Sequence, residues 1–86
     1  MIENTTYYAL LLDGDSLDSP SGIARRRLDE DGELSDESFK RDGSWGSTPL
    51  IAGAERGDMT FNLVEVSEEE AERIIEGFRA RWQAEA

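Results

Sequence analysis

The first regular pattern along the chain is a short apolar run. Residues 6–12 read Thr-Tyr-Tyr-Ala-Leu-Leu-Leu, with apolar side chains at both odd and even positions. Because successive side chains of a strand point to opposite faces, the run predicts a strand that is covered on both sides and central in its sheet. Residues 13–22 include nine Asp, Ser, Gly or Pro residues, which favour turns, so we expect a loop to follow.

A weaker pattern predicts a charged hairpin next. Residues 22–28 provide one strand and residues 33–41 its return, and the dipeptide Asp31-Gly32 between them is typical of a tight turn. The returning strand is polar and charged. Since charges at an edge resist unwanted strand pairing, we expect this hairpin at the edge of the sheet.

The next stretch predicts a short helix followed by a strand. Thr48 can cap the helix, Pro49 suits its first position, and Gly57 can end it in the left-handed conformation. The strand pattern then runs over residues 59–66, beginning with Met59. Its apolar side chains change parity near the end, which indicates burial on both sides or a bulge.

The best-defined element is a C-terminal amphipathic helix. Ser67 and Glu70 have the spacing of a capping box, and Glu69 and Arg73 have the spacing of an ion pair within a helix. A single apolar stripe recurs at helical spacing. Its members are Ala71, Ile74, Ile75, Phe78 and Trp82.

The order of these elements predicts one α+β domain over residues 1–86. We expect a small antiparallel or mixed sheet of three to four strands, with the C-terminal helix packed on one face and the short helix before the last strand. The second apolar face of the sheet then needs a cover. Either the short helix or a second subunit can provide it, and a homodimer is compatible with every function considered below.

The composition excludes several kinds of chemistry. The 86 residues include 20 acids, 9 bases, no histidine and no cysteine, for a formal net charge of −11. The chain therefore lacks an imidazole base, a Cys–His pair, a zinc site of the usual His/Cys type and a disulfide. Its charge also disfavours direct nucleic-acid binding. We predict no catalytic residue, cofactor or metal ligand, and a protein that is not an enzyme.

The same features bear on location. Residues 1–6 lack the basic and apolar stretches of a signal peptide, and no apolar run approaches the roughly 20 residues of a membrane helix. The absence of cysteine agrees with a reducing compartment. We expect a cytoplasmic protein with no membrane contact.

Two motifs in the first loop resemble functional sites. Residues 14–17 resemble the signature of the GDSL esterases, in which Ser16 would be the nucleophile, but the chain has no histidine to take its proton. Asp13, Asp15 and Asp18 provide oxygen ligands of the kind that Ca²⁺ prefers, yet their spacing fails the EF-hand pattern. A solvated acidic loop explains both motifs better.

The only basic cluster is a run of three arginines. On a strand, Arg25 and Arg27 share one face and Arg26 takes the other, so they do not form a single patch. Acids follow directly after the hairpin turn. We therefore predict cross-strand ion pairs with Glu33 or Glu37 rather than an anion site.

Several stretches together resemble a group of small acidic hypothetical proteins from actinobacteria. They are Tyr8-Ala9-Leu10, residues 21–26, residues 55–58, residues 63–67 and residues 70–74. The resemblance covers most of the chain. That group has no established activity, so the resemblance implies no site and no substrate, and it favours a cytoplasmic bacterial protein.

The leading hypothesis is a small acidic non-enzymatic module that binds a protein partner. Charge would steer such a contact and apolar side chains would anchor it. Trp45, in a flexible and polar stretch, is either such an anchor or a lid on the core. The candidate binding residues are Trp45, Asp29, Glu30, Asp31, Glu33, Asp36 and Glu37.

Two alternatives come from other functional classes. A nucleic-acid mimic would occupy the basic groove of a DNA-binding protein, and its affinity would fall steeply with salt. A carboxylate- or metal-dependent enzyme would need acids clustered around a cation. The sequence does not determine whether residues 13–22 and 29–38 are ordered or bind a divalent cation. It also does not determine the oligomeric state, the partner or the pathway.

Overall fold

The computed structural model describes residues 4–57 and 61–85. Five strands and two helices follow one another in these described residues. They are β1 (Asn4–Leu11), β2 (Gly22–Leu28), β3 (Leu34–Phe39), β4 (Trp45–Ser47), α1 (Leu50–Arg56), β5 (Asn62–Val66) and α2 (Glu68–Glu85). The fold is of the α+β class, as the order of elements predicts.

The strands form one antiparallel sheet in the order β4-β3-β2-β1-β5. β1 lies inside the sheet, because Tyr7 is opposite Arg25 of β2 and opposite Val66 of β5. This position agrees with the prediction for a strand with two apolar faces. The β5 strand begins at Asn62 in the described residues, whereas Met59 of the predicted strand lies outside them.

The predicted number of strands and the predicted edge are both wrong. The sheet has five strands instead of three to four, since the stretch around Trp45 adds the short strand β4 opposite Phe39. The hairpin of β2 and β3 is consequently inside the sheet, and β4 and β5 form its edges. Three residues with a central glycine carry no alternating pattern, so β4 had no recognisable signal.

The two helices cover opposite faces of the sheet. The apolar stripe of α2 packs on Ala9 of β1 and Ile23 of β2, and both of these side chains are almost fully buried. α1 lies against β2, β3 and β5 and buries Ile51. The face that α2 leaves open is therefore covered in part by the short helix, which is the first of the two covers expected for it.

The predicted ends of α1 are close to those observed. Pro49 occupies the N-cap position instead of the first helical position, and the backbone N–H of Leu50 donates to Thr48 Oγ1 at 3.3 Å. Gly57 ends the helix at φ +77°, in the left-handed region that glycine adopts without a steric penalty.

Ser67 caps the start of α2, as predicted. The backbone N–H of Glu70 donates to Ser67 Oγ at 3.1 Å, and three glutamates occupy the first turn, where the helix dipole favours negative charge. The ion pair of Arg73 differs from the expected one. Arg73 contacts Glu70 at 2.7 Å, one residue closer along the chain than the expected Glu69.

Candidate functional site

The turn between β2 and β3 concentrates four of the predicted binding residues. Residues 29–33 include Asp29, Glu30, Asp31 and Glu33. Asp29 Oδ1 accepts hydrogen bonds from the backbone N–H groups of Asp31 and Glu33, both at 2.9 Å. Gly32 adopts φ +84° and donates its N–H to the Asp29 carbonyl at 3.0 Å. The carboxylate of Asp29 thus fixes the turn, and the other three acids are exposed to solvent.

An exposed leucine stands beside this turn. Leu34 opens β3 opposite Leu28 of β2, and 58% of its surface is accessible, the largest fraction among the exposed large apolar residues described. An exposed apolar side chain next to four acids is typical of a protein–protein contact in which the apolar group is the anchor and the charges attract the partner. We call residues 28–34 the acidic tip.

Asp36 and Glu37 do not belong to the acidic tip. They follow it on β3, on opposite faces of the sheet, and each is held by an arginine of β2. Arg25 Nε lies 2.8 Å from Glu37 Oε1, which confirms the predicted cross-strand pair. Arg26 binds both carboxylate oxygens of Asp36, through Nε at 2.8 Å and Nη2 at 3.0 Å. These two acids therefore stabilise the hairpin.

Arg26 also reaches across to α1. Its Nη1 lies 2.8 Å from Glu55 Oε2 and its Nη2 lies 3.2 Å from Glu55 Oε1. The hydrogen bonds to Asp36, and then those to Glu55, raise the pKa of Arg26 above its usual value. The guanidinium of Arg26 thus connects β2 to β3 and to α1. The pattern of the hairpin alone does not predict the contact with α1.

Trp45 lies in an aromatic cluster on the α2 face. Its ring is 5.3 Å from that of Phe39 and 6.3 Å from that of Tyr7, and the Cζ atom of Arg25 lies 4.0 Å from the ring centroid. Trp45 is half-buried there and packs against the core. Its role in binding stays a prediction.

The predicted binding residues do not form one surface. Trp45 is opposite Phe39, five residues along β3 from Leu34, which corresponds to roughly 17 Å of strand. The set divides into the acidic tip, the two arginine-bound acids of β3, and the half-buried indole of Trp45.

One acid of the first loop, Asp15, stabilises the loop itself. Asp15 Oδ2 accepts from the backbone N–H of Leu12 at 2.8 Å and from the Ser21 hydroxyl at 2.5 Å. The bond from Ser21, followed by that from Leu12, lowers the pKa of Asp15 below its usual value. Ser16 forms an isolated bridge with Ser19. The carboxylate of Asp15 acts here as a turn-forming group.

A groove that the sequence reasoning missed lies between α1 and β5. Its volume is about 310 Å³. Its lining residues are Tyr8, Ile51, Ala54, Glu55, Phe61, Asn62 and Leu63. Burial raises the pKa of Tyr8 above its usual value, and the charge of Glu65 raises it further. No local pattern signals the groove, because it exists only where α1 crosses the sheet.

Among residues 4–57 and 61–85, no group of three or more acids is placed to hold a metal ion. Neither helix in this part of the chain is long and apolar enough to cross a membrane. Comparisons of the chain with protein-family models, with curated proteins and with solved structures find no match.

Proposed function

We propose that the protein is a small non-enzymatic module that binds a basic surface of a protein partner through its acidic tip. The observation that carries this proposal is the exposure of Leu34 beside four acids on a turn that Asp29 holds in one shape. Leu34 would fill an apolar depression of the partner, while the acids contact its basic rim. We place the protein in the cytoplasm as part of this proposal, in keeping with its lack of cysteine.

The rigidity of the turn favours binding. Ordering a loop on association costs free energy, and the hydrogen bonds from Asp31 and Glu33 to Asp29 have already ordered this one. The net charge of −11 adds long-range steering toward a basic partner, which salt weakens. Apolar anchoring by Leu34 is much less sensitive to salt, so the two contributions are separable.

The experiment is a tagged pull-down from the native host lysate with matched variants. Wild-type protein, Leu34→Ser and Leu12→Ser are compared after washes at about 50 mM and about 500 mM salt, which differ severalfold in screening. Leu12 is the control, because it is 48% exposed but lies outside the acidic tip. We expect one partner that survives both washes with wild type and Leu12→Ser and is lost with Leu34→Ser.

Other outcomes would change the proposal. A partner that Leu34→Ser retains as well as Leu12→Ser does would exclude the acidic tip as the binding surface. A DNA-binding partner that is lost at high salt from all three proteins would favour the nucleic-acid mimic instead. Trp45→Ala tests the remaining candidate anchor in the same assay, provided that its folding is measured separately.

A further inference from the structure

The groove between α1 and β5 combines aromatic walls with an excess of negative charge. Tyr8 and Phe61 contribute the rings. Four ionised groups act on the Tyr8 hydroxyl: the carboxylates of Glu65, Glu55 and Asp36 and the guanidinium of Arg26. Among these four groups the carboxylates outnumber the guanidinium three to one, an excess of two negative charges. Cations bind well over aromatic rings beside carboxylates, so the groove is complementary to a cationic side chain.

The same groove borders an edge of the sheet. β5 pairs with β1 on one side, and no strand in the described part of the chain pairs with its other side. Asn62 and Leu63, which line the groove, belong to this edge strand. An edge strand presents backbone N–H and C=O groups to which an extended segment of another chain can add.

We propose that β5 and the groove together take an extended segment of a partner protein, which adds to the sheet as a sixth strand and places an arginine side chain against Tyr8. Side chains of the added strand that point toward α1 would lie about 5 Å from Leu63 or Glu65. Its intervening side chains would point toward α2, beside Val64 and Val66. The segment therefore carries an arginine with an apolar residue on each side of it.

The groove favours arginine over lysine. A planar guanidinium can stack on the ring of Tyr8 or Phe61 and donate to two carboxylate oxygens at once, whereas an ammonium offers a single charged point. The chain itself supplies an example on the opposite face, where the guanidinium of Arg25 lies over Trp45 and binds Glu37. The groove offers the same combination of aromatic ring and carboxylate to a cation of the partner.

This site is separate from the acidic tip and does not depend on it. Tyr8 lies four residues along β1 from Asn4, the partner of Leu28, a distance of roughly 13 Å. The two sites are therefore distinguished by variants that affect only one of them.

The test uses a short peptide as the probe. An acetylated and amidated Thr-Val-Arg-Val-Thr peptide is titrated into the full-length protein, and the backbone amide signals of β5 and the ring signals of Tyr8 are followed by NMR. We expect both sets of signals to shift together with one affinity. The same peptide with citrulline, which keeps the shape and removes the charge, should bind about tenfold more weakly. Methylating the valine nitrogens should also weaken binding, because strand addition needs backbone hydrogen bonds.

Matched variants locate the peptide. Glu65→Gln should weaken binding by threefold to tenfold, and Glu72→Gln, which removes the same charge from an exposed position on α2, should have less than a twofold effect. Leu34→Ser should leave the affinity unchanged. Equal losses in Glu65→Gln and Glu72→Gln, equal binding of the citrulline peptide, or a loss in Leu34→Ser would each overturn the proposal. So would the absence of any shift in β5.

Discussion

Removing Arg26 tests the central electrostatic feature of the fold. We consider Arg26→Met, which keeps most of the aliphatic stem and deletes the guanidinium. Asp36 then loses both hydrogen bonds from Arg26, at 2.8 and 3.0 Å, and its side chain is only 17% exposed in the wild-type fold. Glu55 also loses its two bonds, but its side chain is 59% exposed and water can replace them.

These exposures set the expected magnitude. Breaking a fully buried ion pair costs about 3–5 kcal/mol, whereas an exposed pair contributes at most about 1 kcal/mol. The Arg26–Asp36 pair lies nearer the buried limit, so we expect a loss of about 2–3 kcal/mol from it and about 0.5 kcal/mol from the Glu55 pair. A domain of this size has a free energy of unfolding of roughly 4–13 kcal/mol. Arg26→Met should consequently lower the melting temperature by about 10–28 °C.

The assay is urea unfolding followed by tryptophan fluorescence, arranged as two double-mutant cycles. Arg26→Met is combined with Asp36→Ala in one cycle and with Glu55→Ala in the other. We expect a coupling energy of about 2 kcal/mol for the Asp36 pair and about 0.5 kcal/mol or less for the Glu55 pair. Equal couplings, or an Asp36 coupling below about 0.5 kcal/mol, would refute the argument that burial determines the strength of these contacts.

Three further predictions follow from local geometry. Gly77→Ala should stabilise the protein by about 1 kcal/mol, because a Cβ atom at this helical position meets nothing within 4 Å. Gly57→Ala should destabilise it by about the same amount, because the backbone there has φ +77°. Thermal unfolding of the two variants measures this difference in sign. Trp45→Ala should cost about 2 kcal/mol, since the half-buried ring packs on Phe39; no change in melting temperature would show that the indole does not support the core. The pKa of Asp15 is lower in the folded state than in the unfolded state, so its carboxylate stabilises the fold at pH values above the unfolded pKa, and this contribution should be lost as the pH falls through the folded pKa. Carboxyl NMR titration should give a midpoint below 3.8 for Asp15. Urea unfolding should show that Asp15→Asn is less stable than wild type at about pH 5 and that the difference becomes smaller at about pH 3.

The sequence was sufficient for elements with strong local patterns. β1 follows from an apolar run on both faces, and α2 follows from its capping box and apolar stripe. Gly57 ends α1 as expected because the left-handed conformation is a property of the single residue. In each of these cases the determining interactions are close in sequence, so a local pattern records them.

The features that were missed depend on contacts between distant segments. β4 is a strand only because Phe39 provides a partner for Trp45, and its three residues have no strand pattern of their own. The pairing of Arg26 with Glu55 joins residues 29 apart, and it requires α1 to cross the face of the sheet. The groove at Tyr8 depends on the same crossing.

The distribution of charge in the fold separates acids that stabilise it from acids that remain exposed. Asp36 and Glu37 each bind an arginine, and Asp29 binds backbone N–H groups of its own turn. A net charge of −11 is therefore a poor guide to a binding surface in this chain, because it counts these acids equally with the exposed ones. Exposed acids become specific only beside an apolar anchor or an aromatic wall. Leu34 is the apolar anchor at the acidic tip, and Tyr8 is the aromatic wall of the groove. Substitutions at these two positions should therefore weaken binding at one proposed site each, whereas a change in overall charge should affect both.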